Sequence, residues 1–487
     1  MKSSDLLLLM PEIILAVGAM VALMVGVFTK GVLSARLTLT VSLAVMVLAL
    51  VALWSSGQNQ LVLDPFNGLL RLDGFGLYVK SLCLIGGAMA LLMGWQWLER
   101  ESLGRFEIPV LVVIAILGMW LMADAHNLLS LYVGLELQSL CLFVLAAINR
   151  DHRESSEAGL KYFLLGALSS GLLLYGASLI YGATGSLGFT EIAAAVKGMG
   201  AASLSLGLLM GMVLVISGLA FKISAVPFHM WTPDVYQGSP TPVTGFFAVA
   251  PKVAAMAPLV RLLVGPFAEM QESWQQIIIL MAVASMVLGA FAAITQNSIK
   301  RLLAYSSIAN MGYGLIGLAV GTVDGIAGLL LYLSIYAVMT VGAFGVILLL
   351  RRGGTSLDRL SDLAGLSKHH PKTAFALAVF MFSMAGIPPL AGFFGKYFIF
   401  LSAIDAGFYV LAVVGVLSSV VAAYYYLRIV KIIYFDEARS SFEAPGRIQS
   451  WVVGVAVVLI VGYFLLPNGL INQTRAAAAP LFKTEAE

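Results

Sequence analysis

Four ionisable residues stand inside long apolar runs of this 487-residue sequence: Glu136 in LYVGLELQSL, Lys222 in FKISAVPFHMW, Lys252 in VAPKVAAM and Lys396 in GIPPLAGFFGKYF. A lysine held at the centre of a bilayer costs roughly 2.5–3.5 kcal/mol on insertion scales, so such residues mark function more often than packing. Buried amines and acids both shift toward their neutral forms, and a nearby opposite charge pushes each back toward ionisation. A buried Glu–Lys pair can therefore hold or release a proton when one neighbouring charge changes, which is what a proton relay requires. The competing reading is a static ion pair that fixes helix packing. A single pair leaves the two readings level; three lysines in three separate runs with one acid favour the relay. Lys80 also falls in an apolar run, but near its end, where snorkelling to the surface is the simpler expectation.

Proline stands close to each of the three deeper lysines. Pro227 follows Lys222, Pro251 directly precedes Lys252, and Pro388 and Pro389 precede Lys396. Proline inside a span removes a helical hydrogen bond and frees a carbonyl. Broken helices at mid-membrane are a common way for transporters to expose polar backbone to an ion. The link after Lys222 carries His229, Asp234 and Tyr236. His229 is a candidate for taking protons from water toward Lys222, level with a plain loop-capping role. Glu157 and Lys161, four apart, read as an ordinary helical ion pair. The run Gly312-Tyr-Gly-Leu-Ile-Gly317 matches a dinucleotide-binding spacing, but apolar helix surrounds it and no strand precedes it. Close helix packing is the better reading.

The elements that must position these residues are membrane helices. Sixty per cent of the chain is hydrophobic and 11% is charged, less than half the charged share of a water-soluble domain. A bilayer-crossing helix needs about 20 mostly apolar residues. Read that way, spans fall near 6–28, 33–54, 75–95, 108–122, 126–148, 160–182 and 203–226, then near 243–263, 275–296, 301–321, 327–350, 373–400, 407–431 and 450–466. The expected fold is an all-α polytopic membrane protein of about 14 transmembrane helices. The runs are continuous and do not alternate, which argues against a barrel.

Of the 28 Lys and Arg, four are the span lysines named above, and only Lys2, Arg71, Lys197, Arg261, Arg475 and Lys483 fall on one side of the membrane. The remaining basic residues all fall on the other side, which is therefore the cytoplasmic one, with both termini periplasmic. Two isolated cysteines without metal-ligand spacing, and histidines without a haem arrangement, predict no redox centre in the chain. Spans 4–8 and 9–13 can each be read as a five-helix unit. An odd number of spans inverts the second copy relative to the first. The stretches SAVP at 224–227 and AGIP at 385–388 are the matching pieces, an alignment that leaves the lysines out of register. The segmentation is 1–107 (three helices), 108–263 and 275–431 (the five-helix units) and 432–487 (loop, last helix and a short mobile tail).

Five segments carry a family likeness: GLELQSL around Glu136, EAGLKYFLLGALSSGLLLYGASLIYGATGS at 157–186, FKISAVPFHMWTPDVYQGSPTPVTGFFAVAPK at 221–252, KRLLAYSSIANMGY at 300–313 and AGIPPLAGFFGK at 385–396. On these the sequence resembles the antiporter-like membrane subunits of bacterial NADH:quinone oxidoreductase (respiratory complex I), and among them the N-type branch. Lysine at 396, where the M-type branch has glutamate, and the absence of a long lateral helix favour that branch. The resemblance implies two inverted five-helix bundles with the seventh and twelfth helices discontinuous. It also implies proton-path roles for Glu136, Lys222, Lys252 and Lys396, with Glu136 tuning Lys222 and Lys252 linking toward Lys396. Flavin mononucleotide and iron–sulfur clusters would sit in partner subunits, quinone would be used by the complex, and the location would be the bacterial inner membrane. The rivals are a subunit of an Mrp-type cation/proton antiporter and a purely structural membrane spacer.

Overall fold

A computed structural model describes residues 3–56, 62–199, 205–437, 442–444 and 446–482. Lys2, Arg439 and Lys483, counted above among the loop charges, lie outside the described residues. A hydrocarbon solvent offers no partner to backbone N–H and C=O groups, so the apolar runs become helices. In chain order these are α1 (Met10–Phe28), α2 (Gly31–Ser55), α3 (Gly74–Arg100), α4 (Glu107–Ala123), α5 (Leu128–Ala146), α6 (Arg153–Thr184), α7 (Leu206–Ile223) and α8 (Thr241–Val264). They continue as α9 (Gln271–Ile294), α10 (Ile299–Val320), α11 (Val323–Leu349), α12 (Pro371–Ala385), α13 (Ala391–Asp405), α14 (Tyr409–Phe435), α15 (Arg447–Gly462) and α16 (Pro467–Ala478). Among the described residues, twelve helices are long and apolar enough to cross a membrane, and α4 and α12 are shorter apolar helices.

Polar residues at the ends of the apolar runs set the boundaries. Asp73, Asn127, Ser205, Ser298 and Thr322 each cap a helix N-terminus by accepting a backbone N–H. Gly185 and Gly321 close α6 and α10 in the left-handed conformation. Helices α8, α10 and α11 are buried almost end to end and form the axis of the molecule, while α1, α2, α14 and α15 turn exposed Val, Leu and Met outward. The glycine run at 312–317 is a packing surface, as expected. A side chain at Gly312 would press on the Ala282 carbonyl of α9, and one at Gly317 on the Gly325 carbonyl of α11.

The structure departs from the sequence reading at the C-terminal tail, at Lys80 and at Arg261, among other points. The segment after Asn468 is the ordered helix α16, with Ala477 and Ala478 buried; its helix-forming run NQTRAAA lets it pack back onto the bundle. Lys80 does not snorkel: it is completely buried between Glu12 and Asp124. Arg261 is likewise no loop cation but a buried partner of Asp73.

The two helix breaks share one backbone geometry, shifted by one residue from the alignment of SAVP with AGIP. Ser224 (φ 62°) and Gly386 (φ 86°) both take the left-handed conformation, and cis prolines follow three residues later at Pro227 and Pro389. Ser224 N–H donates to Ala220 and Phe221 carbonyls, and Gly386 N–H to those of Phe382 and Ser383. Ala225 N–H then returns to Ala220 as Ile387 N–H does to Phe382. Each of these pairs is separated by the same 386 − 224 = 162 residues. The two breaks thus share a local backbone shape although their side-chain letters differ.

Candidate functional site

Each of the three deep lysines is held by a different kind of helix end or face. Lys222 sits in the last turn of α7, two residues before the break at Ser224. Its ammonium donates to the Ser139 hydroxyl of α5 at 2.7 Å and lies 5.6 Å from the Phe143 and Phe221 rings. Glu136 is one turn before Ser139 on the same helix, and its Oε1 is buried without a hydrogen-bond partner. The expected Glu136–Lys222 contact pair is therefore replaced by a Lys222–Ser139 hydrogen bond, with the acid one turn away.

Lys252 is fully buried on the axial helix α8, directly after Pro251. It donates to Ser307 Oγ at 2.5 Å and faces the Tyr236 ring at 5.4 Å, while Ser307 and Tyr336 hydroxyls lie 2.6 Å apart. Lys396 on α13 reaches across the second break. It donates to the Met384 carbonyl at 2.9 Å, to Ala385 at 3.4 Å and to Ser419 Oγ of α14 at 2.7 Å. The Tyr313 ring lies 4.7 Å from it. Lys396 thus compensates the free carbonyls at the C-terminus of α12, where the helix dipole is negative. A cavity of about 480 Å³ runs outward from Lys396 and Ser419 between α13 and α14. Among the described residues, none of the three lysines forms an ion pair.

Between Lys252 and Lys396 lies a polar face that the sequence reading did not single out. Helix α10 presents Ser306, Ser307, Asn310 and Tyr313, all buried. Asn310 Oδ1 accepts from Tyr332 at 2.5 Å and its amide donates to the Ser306 carbonyl at 2.9 Å; Ser306 and Tyr426 hydroxyls are 2.5 Å apart. Ser307 touches Lys252 and Tyr313 faces Lys396, six residues or roughly 9 Å apart along the helix axis. The signal was present in KRLLAYSSIANMGY: polar residues spaced for one face of an apolar helix.

At the basic-rich end, the short helix Thr232–Gly238 after the first break is tied down by charge. Asp234 accepts from Lys161 at 2.7 Å and from Arg301 at 2.8 Å, and Lys300 donates to the Gln237 carbonyl at 2.6 Å. Lys161 also meets Glu157 at 2.8 Å, so the expected i,i+4 pair exists but is one arm of a larger bridge. Burial tends to raise the Asp234 carboxyl, yet Lys161 and Arg301 outweigh it and hold it below the usual carboxylate range. His229 is half-buried just after the break with Nδ1 unpartnered, and burial lowers its pKa. No group of three or more metal-ligating side chains occurs among the described residues.

The fold defines a polytopic helical membrane protein with unpaired lysines at two helix breaks and on the axial helix. Residues 125–422 match the membrane-domain model described as NADH:quinone oxidoreductase/Mrp antiporter. NADH-quinone oxidoreductase subunit N of Rhodospirillum rubrum is 53% identical over 477 residues, covering 97% of this chain and 96% of that protein. Subunit N 1 of Rhizobium meliloti is 52% identical, with 98% of each chain covered. A chain of respiratory complex I from Thermus thermophilus superposes with a TM-score of 0.80 at 35% identity, covering 95% of this chain and 99% of that one. The Mrp complex of Dietzia shares the fold (TM-score 0.85) at 22% identity. The chain belongs to the NADH:quinone oxidoreductase/Mrp antiporter membrane family and, within it, to the subunit N group of NADH-quinone oxidoreductases.

Proposed function

We propose that the chain is the proton-translocating N-type membrane subunit of a bacterial NADH:quinone oxidoreductase, with Glu136, Lys222, Lys252 and Lys396 carrying its protons. The observation that supports this most directly is the continuous polar face of α10 between two buried lysines that have no carboxylate partner. A lysine kept for packing would be expected to carry a fixed counter-ion. A lysine that must gain and lose a proton works better against hydroxyls and carbonyls, which tolerate both states.

In this reading a proton enters from the basic-rich, cytoplasmic side past His229 and reaches Lys222. A movement that changes the field of Glu136 at Lys222 sends the proton on to Lys252. Ser307, Asn310 and buried water hand it along α10 to Lys396, and it leaves through the cavity beside Ser419 to the periplasm. The two five-helix units, 108–263 and 275–431, supply the first and second half-paths. Both termini lie on the periplasmic side of the inner membrane. Quinone reduction, flavin mononucleotide and iron–sulfur clusters belong to partner subunits, and the neighbours of this chain are other membrane subunits of the complex.

The test is purification of the tagged native complex in mild detergent, followed by measurement of size, flavin, iron and NADH:quinone activity. A very large assembly holding flavin and iron and oxidising NADH is the expected result. A smaller assembly without flavin or iron would overturn the reading in favour of a cation/proton antiporter, to be assayed by sodium/proton exchange.

A further inference from the structure

Five charged side chains meet at the basic-poor end of the bundle, and the path above uses none of them. Lys80, on the second turn of α3, donates to Glu12 Oε1 of α1 at 2.9 Å and to Asp124 Oδ2, just after α4, at 2.6 Å. Arg261, in the last turn of α8, grips both oxygens of Asp73 at 2.7 and 2.8 Å, and its Nε donates to the Ala123 carbonyl at 2.7 Å. No member of the cluster is more than 4% exposed. The two pairs adjoin at Gly76, where a Cβ would touch Asp124 Oδ1 and lie 3.1 Å from Arg261 Nη2 and 3.4 Å from Asp73 Oδ1. That crowding is a reason for glycine at position 76.

The charges do not balance. Among the described residues, three carboxylates face two cations, and the guanidinium cannot give up its proton. Asp73 is saturated, since it also accepts the Gly76 N–H at 2.7 Å. The surplus therefore falls on Glu12 and Asp124, which share Lys80 and each keep one buried oxygen, Oε2 and Oδ1, without a hydrogen-bond partner. At the rim Arg71 pairs with Asp64, and His126 hydrogen-bonds Thr190 at 3.0 Å. An uncompensated buried carboxylate is costly, and two carboxylates that share one site resist ionising together.

We propose that Glu12 and Asp124 share one exchangeable proton across Lys80, which makes this cluster a second proton-binding site at the basic-poor end of the subunit. One proton brings the cluster to neutrality, and it arrives from water at that end. The cluster also communicates with the path, because Arg261 and Lys252 lie nine residues, roughly 13 Å, apart on α8. Only this last link rests on the proton-translocation reading; the binding site stands without it.

The experiment is infrared difference spectroscopy of the purified complex through a pH step. A protonated-carboxyl band is expected in the unsubstituted complex. It disappears in Glu12→Gln and equally in Asp124→Asn, because either change leaves one carboxylate fully paired with Lys80, while Glu136→Gln retains it. A band that survives both substitutions overturns the proposal. Assembly gives a second reading. Asp124→Asn keeps two anions against two cations and assembles as the unsubstituted chain does. The double variant Glu12→Gln/Asp124→Asn removes both of these carboxylates from Lys80 and lowers assembly tenfold or more. Equal loss in the single and double variants would overturn the proposal, because it would show that Asp124 is needed as a carboxylate in its own right and not as one of two sharers of a proton. The band is read without turnover, so its outcome is separate from whether the lysine path pumps.

Discussion

Lys252→Met separates a proton carrier from a packing group, because methionine keeps the length of the stem and removes only the amine. Among the described residues, the Lys252 ammonium has one hydrogen-bond partner, Ser307 at 2.5 Å, and one ring, Tyr236 at 5.4 Å. Losing a hydrogen bond to a charged group costs about 1.5–3 kcal/mol. Ser307 is not orphaned, since it keeps the Tyr336 hydroxyl at 2.6 Å. Against that loss, removing an amine from mid-membrane returns roughly 2.5–3.5 kcal/mol. The two are similar in size and opposite in sign, so the variant assembles at close to the unsubstituted level. Transport behaves differently. A proton that crosses this position without an amine to carry it meets an added barrier of the same ~3 kcal/mol, which slows transfer on the order of 100-fold. The assay is NADH-driven acidification of inverted membrane vesicles, read with a pH-sensitive dye and set against the amount of assembled complex. Pumping and NADH oxidation should both fall while the complex remains. Assembled Lys252→Met that pumps at the unsubstituted rate refutes the carrier role, and a complex that fails to assemble would place Lys252 in packing.

Three further outcomes follow from the geometry. Ser139→Ala takes away the Lys222–Ser139 hydrogen bond, worth about 1.5–3 kcal/mol, and should lower pumping more than tenfold while Glu136→Gln lowers it less; a silent Ser139→Ala would show that this hydrogen bond does not govern Lys222. Gly386→Ala forces a side chain into φ 86° within 3.2 Å of the Lys396 stem, at a cost of roughly 1–2 kcal/mol, and should reduce pumping at unchanged NADH affinity; unimpaired pumping would mean the second break tolerates movement at its turn. Asp234 is held below the usual carboxylate range, so its contribution is present above its unfolded value and is lost only as pH falls through the lower folded value. Its partners are a third or more exposed, so Asp234→Asn should cost no more than about 1 kcal/mol, and by the same amount throughout about pH 6–8; a deficit that changes across that range, measured by thermal unfolding of the complex, would contradict the sign.

What the sequence revealed and what it hid divide along a physical line. Spans, the deep lysines and the proline breaks are local features, since each shows in a window of about 20 residues. Lys80 was misjudged because its partners are 68 and 44 residues away, and only the convergence of α1, α3 and α4 shows them. Arg261 was placed in a loop for the same reason, as Asp73 lies 188 residues before it. The repeat was aligned on letters, whereas the conserved object is a left-handed turn followed three residues later by a proline. The polar face of α10 was legible in principle, but Ser and Asn carry no formal charge, and a search for buried charges passes over them.

The contrast between the two sets of buried cations bears on how the subunit can move protons at all. At the basic-poor end, Lys80 and Arg261 are locked against carboxylates within 2.9 Å. Breaking one such pair leaves an uncompensated buried charge, at about 3–5 kcal/mol. Lys396 instead meets the C-terminal end of a half-helix, which carries only about half a negative charge in the form of oriented carbonyls, and Lys222 meets the Ser139 hydroxyl. A carbonyl dipole falls off steeply with distance and angle, so a small tilt of α12 changes the field at the Lys396 ammonium without exposing a bare charge. A helix break is therefore more than a gap that admits water. At the second break it makes the counter-charge of Lys396 a movable part of the backbone, and in the proposed path a mechanical push on the bundle would be converted there into a proton gained or lost. Lys252, on an unbroken helix against hydroxyls and rings, has no such movable counter-charge. It can respond only to its neighbours.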